Sequence, residues 1–143
     1  MNYEIYEILE KAATAETRID KIALLKKHDC LGLRDVLRGA FDDVIEWQLP
    51  QGTPPFTSGL SKEGMTPSSL KRQSKHLAYF CKGGPGEKLK PEKRERMFLQ
   101  MLEGIHPKDA ELLIAMKDKK LVGRYKGITK ALVQEVWPNL IAK

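Results

Sequence analysis

Residues 31–47, LGLRDVLRGAFDDVIEW, place Leu33, Val36, Leu37, Ala40, Phe41, Val44 and Ile45 at the three- and four-residue intervals of a helix. A stripe of that width must be buried against other elements, so the stretch predicts a central core helix and points to helix-on-helix packing. The same period recurs on both sides of it. Residues 2–13 align Ile5, Ile8, Leu9 and Ala12, and residues 17–27 align Ile19, Ile22 and Leu24 or Leu25, which together predict a helical hairpin. Further on, residues 91–104 align Phe98, Met101 and Leu102 with Ile105 beyond them, and residues 107–117 align Ala110, Leu113 and Met116.

Start and stop signals mark two more helices. Thr66-Pro67-Ser68-Ser69 combines capping side chains with a proline suited to a first helical turn, predicting a helix that runs to Phe80 or Cys81. Gly83-Gly84-Pro85-Gly86 ends it. The last helix is expected from near Thr129 to just before Pro138. No alternating run of β-branched residues predicts a strand. The expected fold is therefore all-α, a compact array of about six to seven helices forming one domain over residues 1–143. An irregular Pro/Gly-rich loop is expected at about 48–66.

Several chemistries have no residues to carry them. There is no GxxxxGK[ST] phosphate loop and no HExxH, and His28, His76 and His106 are isolated from one another. Cys30 and Cys81 lack the spacing of a zinc site or a disulfide framework and are expected as ordinary buried thiols. Asp42, Asp43 and Glu46 fall opposite the apolar stripe, where a solvated acidic face is expected rather than a magnesium site. Ser68 and Ser69 have a capping role and no base beside them. Trp47 and Trp137 each close an apolar helix and are expected in the core rather than as stacking platforms. The expectation is a protein without catalytic activity, cofactor, metal or small-molecule substrate. No apolar run reaches membrane-spanning length and the N-terminus reads as an amphipathic helix, so no membrane partner and a cytoplasmic location are expected.

Charge is unevenly distributed along the chain. Residues 1–66 carry 8 Lys/Arg against 11 Asp/Glu, whereas residues 67–143 carry 17 against 8, so the net charge of +6 arises wholly in the second half. A basic half suits a polyanion. Two segments have the composition of phosphate contacts, in which glycine lets backbone N–H groups approach and lysine or arginine supplies charge. One is residues 82–90, with Lys82, Gly83, Gly84, Lys88 and Lys90. The other is residues 117–130, with Lys119, Lys120, Arg124, Lys126, Gly127, Thr129 and Lys130, leading into the N-terminus of the last helix. A third basic group, Lys71, Arg72 and Lys75, is expected on the outer face of its helix.

The opening Ile5-Tyr6-Glu7-Ile8-Leu9, the run Lys21 to Lys27, the helix from Leu31 to Trp47, Leu49-Pro50, Met97 to Leu102, Asp109 to Leu113 and the ending Val133-Gln134-Glu135-Val136-Trp137-Pro138-Asn139-Leu140-Ile141 occur in a fixed order. That order resembles the N-terminal DNA-binding domain of phage-type ATP-dependent DNA ligases, over nearly the whole chain. The resemblance implies an all-helical domain that contacts duplex DNA through its phosphates, and a phage origin. It does not extend to ligation, which needs a K-x-D-G motif that this sequence lacks, and the basic segment 117–130 is longer than its counterpart there. The expected function is a stand-alone, non-catalytic accessory protein that holds duplex or nicked DNA without sequence specificity. The alternative is a module that docks an acidic protein through its basic face, motivated by the acidic first half and the long loop at 48–66.

Overall fold

The computed structural model describes residues 3–59 and 64–141. Its helices are α1 (Ile5–Thr14), α2 (Arg18–Lys27), α3 (Leu31–Phe41), α4 (Leu70–Gln73), α5 (Pro91–Glu103), α6 (Pro107–Lys117), α7 (Leu121–Arg124) and α8 (Lys130–Val136). A 3₁₀ segment, Ser74–Phe80, continues directly from α4. Among the described residues there is no strand, only an isolated antiparallel bridge between Trp47 and Cys81. The fold is all-α.

The hub is α6 rather than α3. It packs against α1, α3, α5 and α7, and Ala110, Leu112, Leu113, Ile114 and Met116 are all buried, covering most of its circumference. A helix enclosed on so many sides shows no strong one-sided stripe, which is why its sequence is less conspicuous than that of α3. The two helices approach closely at Gly39, where an added Cβ would lie 2.5 Å from Trp47 Cζ2 and 2.9 Å from Met116 Sδ.

The helix expected over 31–47 ends at Phe41. Asp42 turns extended, with φ −86° and ψ 113°, and its Oδ1 accepts from the Val44 amide at 3.0 Å. The carbonyls that a longer helix would use are taken by side chains. Lys119 Nζ donates to Gly39 O at 2.7 Å and Asp42 O at 3.0 Å, and Trp47 Nε1 donates to Gly39 O at 2.9 Å. Val44 consequently leaves the core and is 70% exposed. Ile19, expected to be apolar-facing, is likewise 78% exposed, leaving Leu25 as the buried residue of α2.

The segment after the loop also departs from expectation. Pro67 precedes the helix, and Ser69 is the cap, its hydroxyl accepting from Arg72 N. After one α-turn the chain tightens to 3₁₀ geometry, in which side chains three apart eclipse one another. The expected boundaries of α5, α6 and α8 agree with the structure to within a residue or two. One short helix, α7, lies inside what reads as a basic turn.

The 48–59 part of the Pro/Gly-rich loop is fastened to the helices. Lys117, 4% exposed, donates through Nζ to Pro50 O at 2.8 Å, Gly52 O at 2.7 Å and Asp118 Oδ1 at 2.8 Å. Thr57 N donates to the Glu103 carboxylate. Residues 60–63, within the expected loop, lie outside the described residues.

Candidate nucleic-acid interface

The residues expected to bind phosphate fall into three groups according to what their side chains already hold. Lys119 belongs to the scaffold. It follows the C-terminus of α6 in the left-handed region, φ 57°, while the Lys119 and Lys120 amides donate back to Met116 O and Ala115 O. That closing motif favours glycine, since a β-carbon there costs roughly 1–2 kcal/mol. The ammonium compensates by binding the last carbonyls of α3, and desolvation holds its pKa below the ordinary lysine value. Thr129 is likewise a cap, its Oγ1 accepting from Leu132 N at 3.2 Å.

A second group is ion-paired at the surface. Lys82 Nζ lies 3.6 Å from Glu46, Lys130 Nζ lies 3.3 Å from Asp43, and Arg124 binds Glu111. Pairs this exposed are worth at most about 1 kcal/mol and exchange partners readily. The third group comprises Lys88, Lys90, Lys120 and Lys126, exposed cations with no ion pair among the described residues.

The strap of residues 42–48 relates the two basic segments. Lys82 N donates to Glu46 O at 2.9 Å, Lys119 reaches Asp42 O, and Lys130 reaches the Asp43 carboxylate. Seven residues span at most roughly 25 Å, so Lys82, Lys119 and Lys130 flank one narrow strip. Asp42, Asp43 and Glu46 lie within this strip rather than on a solvated helix face. Asp42 is buried while Asp43 and Glu46 are exposed. Gly83 and Gly127 adopt φ 83° and 81°, turns that favour glycine. The Gly84 amide is already engaged, donating to Cys81 O at 3.0 Å.

Sequence reasoning overstates the basic surface because four cations serve internal carbonyls. Besides Lys117 and Lys119, Lys21 Nζ donates to the carbonyls of Ala12, Ala13 and Ala15 at the end of α1. Arg94, 7% exposed, donates to Gln48 O at 2.9 Å and Leu89 O at 3.1 Å, pinning the 82–90 loop to the strap. Charge alone does not separate such clamps from surface cations; their partners do.

Residues 8–123 match a protein family described as a family of unknown function (DUF6433). The chain belongs to that family. The DUF6433 match takes in the strap, the 82–90 loop, Lys119 and Lys120, and stops before Arg124, Lys126 and Lys130. No curated protein matches the chain. Among the described residues, no group of three or more His, Cys, Asp or Glu side chains is placed to hold a metal, and no helix is long and apolar enough to cross a membrane. Trp47 and Trp137 pack partly buried against the core. Both cysteines are half-buried and free, and burial pushes the Cys81 thiol up to about 11.

Proposed function

We propose that this DUF6433 protein is a non-catalytic accessory protein that binds DNA through its phosphates, without reading sequence. The observation that carries the reading is the set of exposed cations without ion-pair partners among the described residues, Lys88, Lys90, Lys120 and Lys126, in a half of the chain with net charge +9. Lys82 and Lys130 join them by exchanging a weak surface carboxylate for a phosphate. Binding of this kind is driven by counter-ion release, so it falls steeply with salt and is indifferent to base order. The resemblance of the sequence's motif order to a ligase DNA-binding domain is what favours duplex DNA as the polyanion. The described part of the loop that motivated a protein-docking role is held by Lys117, Asp118 and Glu103, which removes much of that motive.

The test is the affinity for unrelated duplexes over a salt series. Six phosphate contacts, from these four lysines with Lys82 and Lys130, give a log–log slope of about −5.4. Reversing Lys88, Lys90, Lys120 and Lys126 to Glu together should flatten the slope and weaken binding to every duplex alike. Affinity that is insensitive to both salt and these four reversals would refute the reading.

A further inference from the structure

A groove of about 510 Å³ runs between the 3₁₀ segment and α5. Its first wall is built by the 3₁₀ period. Gln73, His76 and Tyr79 are three apart and so lie along one ridge. The facing wall is Met97, Gln100 and Met101 of α5, with buried Phe80 also lining the groove. Among the described residues, no Lys, Arg, Asp or Glu side chain lines it. Tyr79 and His76 present two rings with centroids 6.2 Å apart, tilted by 42°. The Gln73 amide is fixed by donating to Ser68 Oγ at 2.9 Å, and its carbonyl oxygen has no donor among the described residues.

The charges stand around this neutral interior. On α5, Lys93 is four residues before Met97 and Arg96 is four before Gln100, so both neighbour the lining residues on the helix surface. Arg72 directly precedes Gln73 in the chain. All three are exposed and have no ion pair among the described residues. At the Tyr79 end, the 82–90 loop joins the two walls and carries Lys88 and Lys90; it lies so close that a Cβ on Gly86 would sit 2.1 Å from Tyr79 O. Of the nearest carboxylates on α5, Glu103 is taken by the Thr57 amide and Glu92 is exposed one turn before Arg96.

We infer that this groove binds unpaired nucleotides of a nucleic-acid strand, with bases on Tyr79 and His76 and phosphates on the surrounding cations. Amides and aromatic rings inside, with cations outside, match a single strand, whose bases offer π-faces and hydrogen-bonding edges while its backbone carries the charge. An acidic peptide would meet the cations but leave the rings and amides without a matching role. The inference rests on the proposed polyanion binding and adds a substrate class to it: a strand with unpaired bases, alone or beside a duplex.

The test compares an oligothymidylate and a duplex of equal phosphate number by fluorescence anisotropy, with 2-aminopurine placed in a second single strand to report stacking. Tyr79→Ala should lower the ratio of single-strand to duplex affinity by roughly five- to a hundred-fold and abolish 2-aminopurine quenching. Tyr79→Phe should retain both, which separates a stacking role from a structural one. Lys88→Glu with Lys90→Glu should weaken both ligands. If Tyr79→Ala leaves the ratio and quenching unchanged while the lysine reversals still weaken binding, the groove assignment is wrong and phosphate binding stands. If poly-glutamate binds as tightly as oligothymidylate, the groove senses charge alone and the assignment also fails. If neither nucleic acid binds at low salt, both readings fall together.

Discussion

Asp109 gives the sharpest test of the packing. It lies in the first turn of α6, is fully buried, and accepts the Tyr6 amide from the first turn of α1 through Oδ1 at 2.9 Å; its Oδ2 has no hydrogen-bond partner among the described residues. Burial raises its pKa from 3.8 to about 7, with Glu4 and Glu7 adding to the shift and the Tyr6 amide and Lys71 opposing it. The folded state therefore binds this proton more tightly than the unfolded chain does. The resulting stabilisation is full below pH 3.8 and is lost as pH rises through about 7. The gap corresponds to about 4 kcal/mol in total, of which roughly 2–3 kcal/mol falls between pH 5 and pH 8. Asp109→Asn keeps an acceptor for Tyr6 and removes the titration. Urea unfolding followed by tryptophan fluorescence at several pH values should show the wild type losing that amount relative to Asp109→Asn. A difference between the two that is constant, or that grows in favour of the wild type as pH rises, would refute the assignment.

Three further outcomes follow from the same contacts. Lys119→Met keeps the aliphatic stem but leaves the end of α3 without its ammonium, and should cost about 2 kcal/mol in urea unfolding, whereas Lys120→Met should stay within about 0.5 kcal/mol. Gly39→Ala forces a methyl against Trp47 and Met116 and should cost about 1–3 kcal/mol, read as a lowered Tm. With its pKa near 11, Cys81 is only about 0.1% thiolate at pH 8, so iodoacetamide should label it far more slowly than a free cysteine, as followed by mass spectrometry.

The elements most legible in the sequence bury one face and end on local signals. Ile5, Ile8, Leu9 and Ala12 are all buried as their spacing predicts, and Pro91, Pro107 and Thr129 mark helix starts that the structure reproduces. The early end of α3 is not local. It depends on a lysine from beyond α6, far along the chain, and on an indole that folds back to the same carbonyl. The tightening of 74–80 into 3₁₀ geometry escaped for a different reason. An apolar spacing of three or four fits either helix, and Leu77 and Phe80 are buried in both descriptions. The groove beside that segment was hidden for the same reason, since Gln73, His76 and Tyr79 share a ridge only when the repeat is three residues.

The cations that serve internal carbonyls also bear on how the family can change. Substitutions that turn a basic surface neutral or acidic can accumulate at Lys88, Lys90 or Lys126 without disturbing the fold. Lys21, Arg94, Lys117 and Lys119 each close a helix end or fasten a loop, and their replacement removes donors from the partly buried carbonyls there. In a relative without the proposed polyanion binding, these four are the positive charges expected to persist. Aligned sequences would then show two classes of lysine and arginine: one kept by architecture, the other free to follow whatever ligand each relative binds.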